Sequence, residues 1–262
     1  MIGVFDSGIG GLTLVKPLRE HLPNADIVYF GDTGRVPYGT KSKDTIIKYS
    51  HQDVKFLLSR GVDSIIAACG TVSSNAMDIL QASYDVPIEG ITRPAVSAAL
   101  RATGSGKIGV IATSATVNSG VFQRLIGDAD PRAQVYAKAC PLFVPLIENG
   151  YVARDCEVTR LVVRDYLTQL RESGIDTLIL GCTHYPLIKP IIRDFIPEVT
   201  LIDASEAASE EFALHRAGSE DKDGMGKLKI YVSDISQQFS YMAELFLGTG
   251  EIDVEKVTVD SY

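Results

Sequence analysis

The sequence predicts an α/β protein: two similar open, mostly parallel sheets with helices on both faces, related by a pseudo-twofold, with the site between them. Three observations predict it. Short apolar runs alternate with helix-length amphipathic segments along the whole chain, and that alternation builds parallel sheets covered on both sides. Two segments then repeat in register. Gly61-Val62-Asp63-Ser64-Ile65-Ile66-Ala67-Ala68-Cys69 and Gly174-Ile175-Asp176-Thr177-Leu178-Ile179-Leu180-Gly181-Cys182 both read glycine, aliphatic, aspartate, hydroxyl, apolar run, cysteine. Finally, Lys107-Ile108-Gly109-Val110 echoes Ile2-Gly3-Val4-Phe5. Together these indicate an internal duplication. A common helix–glycine–strand grammar could arise twice independently, but the matched cysteines argue against that.

The elements follow in order. Residues 2–5 read as a buried strand, and Asp6-Ser7-Gly8-Ile9-Gly10-Gly11 as a glycine-rich turn. A helix over 12–22 is ended by Pro23-Asn24. A strand over 27–30 leads into a loop over 31–40. The amphipathic spacing of Ile46, Ile47, Val54, Leu57 and Leu58 predicts a helix over 43–60, with Gly61 as its C-cap. A strand over 64–68 delivers Cys69. Then come a helix over 74–83, a strand over 88–91 and a helix over 95–102. Thr103-Gly104-Ser105-Gly106 marks the crossing into the second half. That half begins with a strand over 107–113 and a helix over 116–126. A strand over 135–137, a loop or short helix over 141–149, and a helix over 156–173 capped by Gly174 come next. A strand over 177–180 delivers Cys182, with Pro186 placed to start a helix. A strand over 199–202 and a helix to about 217 follow. Residues 219–226 read as an exposed loop, 228–232 as a strand, 237–247 as a helix, and 251–259 as an added edge strand. The expected domains are 1–95 completed by 210–262, and 96–209.

Composition narrows the function. The 262 residues carry 25 Lys and Arg against 33 Asp and Glu, a net charge of -8. That argues against a general nucleic-acid or anionic-membrane binder, which needs clustered cations. Apolar runs are too short for a membrane span, and the first residues do not read as a secretion signal. A cytoplasmic location is expected. Cys69, Cys140, Cys156 and Cys182 are scattered, which suits neither a disulfide framework nor a zinc knuckle. The default for any one of them is a small buried hydrophobe.

Position makes two of them exceptional. Ligands of parallel α/β sheets bind beyond the carboxyl ends of the strands, where Asp6, Cys69, Thr113 and Cys182 are all predicted. If the halves face each other, a substrate between them meets one thiol from each side. One thiolate can take a proton from a carbon while the opposite thiol returns one, which is what inversion requires. Gly70, Thr71 and Thr183 offer small groups beside the thiols. His184 is placed to tune Cys182, and Asp6 and Glu148 to hold an ammonium or orient a thiol. Gly8 and Gly10 fit the start of a dinucleotide fingerprint, but Thr13 occupies its third glycine position. The phosphate-loop pattern is missing at Gly104-Ser105-Gly106-Lys107. No pair of histidines has metal-ligand spacing, and no lysine is singled out for a pyridoxal Schiff base. The expectation is therefore no cofactor and no metal.

These residues resemble the cofactor-independent aspartate/glutamate racemase superfamily, and within it the glutamate racemases. Five stretches carry the likeness: Asp6 to Thr13, Val36 to Gly39, Ala68 to Thr71, Ala139 to Glu148 and Gly181 to Pro186. Asp203-Ala204-Ser205-Glu206-Ala207 resembles a sixth. The resemblance implies two α/β domains around the site and direct interconversion of L- and D-glutamate, supplying D-glutamate for peptidoglycan. By it, Cys69 takes the α-proton of D-glutamate and Cys182 that of L-glutamate. Asp6, His184 and Glu148 would assist them. Ser7, Tyr38, Gly39, Gly70, Thr71, Thr116 and Thr183 stand at substrate-contacting positions. Cys140 has no such role and is expected to line the core. One residue departs from the pattern: Gly70 stands where the family usually has Asn, which favours testing a sister racemase of aspartate or another amino acid as the rival. A single-thiol decarboxylase is a further rival, and it would need only one cysteine. The expected partner is a small amino acid. The assembly is left open, a homodimer among the options.

Overall fold

The computed structural model describes residues 1–216, 224–235, 239–248 and 253–259. Its first sheet is built around β1 (Ile2–Asp6), wholly buried and flanked by β2 (Ile27–Gly31) and β3 (Ser64–Ala67). Between them run α1 (Leu12–His21) and α2 (Lys43–Ser59). The α2 start is capped by Ser42, whose hydroxyl accepts from the Thr45 amide at 3.4 Å. Its end turns on Gly61, at φ +79°, a left-handed position that glycine takes without a Cβ clash. Beyond β3 come α3 (Gly70–Asn75), α4 (Met77–Ser83) and β4 (Ile88–Gly90).

The second sheet repeats this plan. After α5 (Thr92–Ala102) the chain forms β5 (Lys107–Ala112), α6 (Ser114–Asn118), α7 (Val121–Ala129) and β6 (Gln134–Ala139). Then follow α8 (Phe143–Glu148), α9 (Glu157–Glu172), β7 (Thr177–Leu180), α10 (Lys189–Phe195) and β8 (Thr200–Asp203). The strand order β6-β5-β7-β8 reproduces β2-β1-β3-β4, all parallel. Register is reproduced too: Ile2 lies opposite Ser64 in one sheet and Ile108 opposite Thr177 in the other. Gly174, at φ +71°, repeats the turn at Gly61. The duplication therefore reaches from strand order down to single turns.

After β8 the chain returns to the first sheet. The helix α11 (Ala204–Arg216) packs on both α1 and α5. Then β9 (Leu228–Val232) pairs with β2, α12 (Phe239–Leu247) packs on α1, and β10 (Val254–Lys256) pairs with β9 at the sheet edge. One apolar core runs continuously from Ile2, Val4 and Leu14 through Ala95 and Phe212 to Val110 and Leu178, joining the two halves. The opposite face of the first sheet forms a separate core with α2, α3 and α4. Part of the 219–226 loop and of the 237–247 and 251–259 segments lies outside the described residues. Among the described residues no helix is long and apolar enough to cross a membrane.

Several helices differ from the sequence expectation: α5 starts at Thr92, not residue 95, and the helix expected over 116–126 starts at Ser114 and divides into α6 and α7 at Gly120, whose φ of +66° breaks the helical path. The helix after Cys69 begins at Gly70, not residue 74, and breaks at Ala76 into α3 and α4. The hydroxyls of Ser73 and Ser74 explain the compact turn. Ser73 donates to Ala67 O at 2.8 Å, tying the first turn back onto the strand end, and Ser74 donates to Gly70 O at 2.7 Å within α3. After Cys182, Pro186 sits in a 3-10 turn, Tyr185–Ile188, and α10 starts only at Lys189.

Candidate active site

The carboxyl ends of the two sheets face a cavity of about 360 Å³. Ten of the twelve residues singled out from the sequence line it: Cys69, Cys182, His184, Glu148, Ser7, Tyr38, Gly39, Gly70, Thr71 and Thr183. Asp6 and Thr116 lie behind its wall. Asp6 is wholly buried and accepts from the Gly8 amide at 2.9 Å and the Thr183 hydroxyl at 3.4 Å. Thr116 receives the Thr113 hydroxyl at 3.0 Å, and Thr113 in turn lies 3.0 Å from the Thr71 hydroxyl. Its contact with the cavity is therefore relayed through a chain of hydroxyls crossing between the halves. A larger cavity, about 760 Å³, lies elsewhere along the seam; Lys41, Arg93 and Arg124 line it and none of the twelve does.

Each thiol has its own surroundings. Cys69 closes β3 and stands at the N-cap of α3. Its Sγ donates to Ser7 Oγ at 3.3 Å. Burial, reinforced by the nearby Asp6 carboxylate, pushes its thiol up to about 12. Asp6 itself is raised by burial, against the pull of His184 and of backbone N–H groups. Cys182 follows β7 on the other half. Its Sγ lies 3.9 Å from His184 Nδ1, and His184 Nε2 lies 3.0 Å from Glu148 Oε1. Burial works against a charged imidazole here. Bonding to Cys182 and Glu148 overcomes it and carries His184 up to about 10. The ring thus holds its proton near neutral pH and presents a cation to the sulfur. The Phe246 ring, from α12, meets the imidazole edge-on at 5.2 Å between centroids. The Thr183 carbonyl is fixed from the first half by the Thr13 hydroxyl at 2.9 Å.

Tyr38 takes an unexpected direction. It belongs to a 3-10 turn, Tyr38–Thr40, that follows the cis Val36–Pro37 bond. The turn lines the cavity, but the phenol hydroxyl reaches inward to Asp32 and, at 3.2 Å, to Asp53. Arg35 closes this network with Nε 2.6 Å from Asp32 and Nη2 3.2 Å from Asp53. Cys140, expected in the core, is buried and also lines the cavity beside Pro141, Val144 and Pro145. The sequence carried no signal for this, because Cys140 has no matching cysteine segment in the other half.

The chemistry this arrangement supports is proton transfer. Two thiols from separate halves share one cavity, one beside a carboxylate and one beside an imidazolium. The sequence pattern of the Asp/Glu/Hydantoin racemase family matches residues 13–212. The chain belongs to that racemase family. A glutamate racemase of Persephonella marina is 45% identical over 98% of this chain and 96% of its own length. One of Aquifex pyrophilus is 47% identical over 94% of both. The structure of a Francisella tularensis glutamate racemase in complex with D-glutamate superposes with a TM-score of 0.91 at 41% identity, covering 100% of this chain and 98% of that one. This member of the racemase family is thus an isomerase, and its two halves keep the family's two-domain plan.

Proposed function

We propose that the chain interconverts L- and D-glutamate without a cofactor, with Cys69 and Cys182 as the paired acid and base, in the cytoplasm. The carrying observation is that one cavity receives one thiol from each of two duplicated halves. The names of relatives matching nearly the whole chain support glutamate as substrate. In each turnover one thiolate takes the α-proton and becomes a thiol, leaving a carbanion stabilised by the adjacent carboxylate. The opposite thiol then gives its proton to the other face and becomes the thiolate. By resemblance, Cys69 acts on D-glutamate and Cys182 on L-glutamate. The high proton affinity of Cys69 suits a waiting acid. A substrate ammonium held beside the thiol lowers that affinity, and the substrate carboxylates act in the opposite direction. Asp6 acts from behind the wall through Thr183 and on Cys69 by its charge. Glu148 orients His184, and His184 meets the charge on Cys182. The D-glutamate formed would feed peptidoglycan synthesis.

The test uses pure L- and D-glutamate in deuterated water with no added cofactor, following α-deuterium incorporation and optical rotation. Both enantiomers are expected to exchange and invert. Absence of both with either enantiomer sinks the proposal, and a preference for aspartate in a substrate panel moves the chain to a sister activity. For Cys69→Ser, inversion is expected to fall about 10²–10⁴-fold. Because the equilibrium constant between enantiomers is one, kcat/KM must fall equally in both directions. The assignment of faces is therefore read from exchange: Cys69→Ser should lose it from D-glutamate and Cys182→Ser from L-glutamate.

A further inference from the structure

The segment that carries Cys182 and His184 is held from two sides. Its own half supplies Glu148, which lies 3.0 Å from His184 Nε2 and whose side chain is 41% exposed. The other hold comes from the first half. Thr13, in the first turn of α1, places its Oγ1 2.9 Å from Thr183 O, 2.9 Å from Gly10 O and 3.2 Å from Ser205 Oγ, at the start of α11. A hydroxyl has one proton to give, and the two carbonyls differ in need. Gly10 O already accepts from the Thr13 amide at 3.0 Å. In the turn after Thr183 the amides go elsewhere. Tyr185 N donates to Cys182 O and Leu187 N to His184 O, both at 3.1 Å, and Pro186 has no N–H. Thr183 is buried, so its carbonyl draws the Thr13 proton, leaving the Ser205 hydroxyl to donate into Thr13 Oγ1. The hold acts at close quarters. A Cβ built on Gly10 would stand 2.5 Å from His184 Nδ1 and 2.5 Å from Thr183 Oγ1, and Nδ1 is the atom that faces Cys182 Sγ at 3.9 Å. Ser7, earlier in the same first-half turn, bonds Cys69 directly and does not act through Thr13.

We infer that Thr13 is a positioning residue for the second thiol: by holding the Thr183 carbonyl, its hydroxyl fixes the backbone that sets His184 Nδ1 against Cys182 Sγ. The inference rests on the two-thiol reading above. When the Cys182 thiolate takes the α-proton of L-glutamate, the C–H bond breaks, an S–H bond forms and the electron pair stays on the carbon. The thiolate that starts this step is the one that faces the imidazolium. Without the Thr13 hydroxyl the Thr183 carbonyl is left unpaired, and the segment that carries Cys182 and His184 shifts toward another donor. Proton removal from L-glutamate then slows, because the imidazolium no longer stands where the thiolate needs it. Removal from D-glutamate starts at Cys69, whose Ser7 partner stays in place.

The experiment compares Thr13→Val and Thr13→Ser with the unaltered chain, reading α-deuterium incorporation from each glutamate enantiomer in deuterated water. In Thr13→Val, exchange from L-glutamate is expected to fall about 10-fold, the size of one hydrogen bond. Exchange from D-glutamate is expected to fall less, so the L-to-D exchange ratio drops at least about threefold on the same scale. Thr13→Ser keeps the hydroxyl and is expected to keep the ratio of the unaltered chain. A general loss of folding would lower both exchanges together and leave the ratio alone. An unchanged ratio in folded Thr13→Val overturns the inference, and so does a Thr13→Ser chain that behaves like Thr13→Val. Should Thr13→Val fail to fold, Thr13→Ala takes its place and the same ratio decides. If the unaltered chain itself neither exchanges nor inverts glutamate, the functional reading fails and the inference with it. If it inverts normally and the hydroxyl-free variant keeps its ratio, the inference alone fails.

Discussion

At the scale of residues, the two thiols are set apart by the charge beside each. Cys69 sits near a buried carboxylate and Cys182 beside an imidazolium, although their sequence approaches are nearly the same. The duplication thus copied the backbone and left the tuning groups to diverge. The His184 proton links this site to stability. Its affinity is raised from 6.5 to about 10 in the fold, so the folded chain binds that proton more tightly than the unfolded one. The stabilisation is complete below pH about 6.5 and is lost as pH rises through about 10. The melting temperature is therefore expected to fall between pH 7 and 10 by more than in His184→Asn, where that slope should flatten. Equal slopes in the two proteins would show that the bonds to Cys182 and Glu148 do not hold the proton. The cysteines were legible in the sequence because each announced the other. Cys140 was not, because a lone cysteine beside a proline carries no such pairing.

At the scale of elements, the turn at Tyr38–Thr40 shows where sequence reading ran out. Tyr38 was singled out for the cavity, and its turn does line it. The phenol goes instead to Asp32, at the end of β2, and Asp53, in α2. Neither aspartate is near Tyr38 in a local motif, so no spacing rule could pair them. Burial raises Asp53 well above the carboxylate range, and the Asp32 charge adds to this despite Arg35. Tyr38→Phe removes the phenol from two buried carboxyls, an expected loss of about 1–3 kcal/mol. Denaturant unfolding measures it. The turn should loosen as well, raising KM for glutamate more than it lowers kcat. The break between α3 and α4 at Ala76 carries no glycine or proline to announce it. The strands, the helix-ending glycines and the strand-end site were all legible, because apolar period and left-handed turns act locally.

At the scale of the molecule, the chain crosses between halves twice, first into α5 and again through α11. The division into 1–95 with 210–262 against 96–209 remains a proposal. The pairing of β9 with β2 and of β10 with β9 supports the return of the tail, and α5 packing on β7 and β8 supports counting it with the second half. A chain ended after Arg216 would leave the apolar strand β2 as a bare edge. Such a chain is expected to appear mainly in the insoluble fraction on expression, and a soluble monomer with unchanged melting would contradict this. The same pairing bears on how the protein is made. Ile27 to Gly31 must wait for Leu228 to Val232, so a nascent chain on the ribosome can complete its second half, from β5 to β8, while its first half still lacks a neighbour. Synthesis therefore runs from one end, but final assembly closes last at the oldest part of the chain, where a long loop must be drawn in before the pairing rewards it. That interval leaves β2 open to other chains.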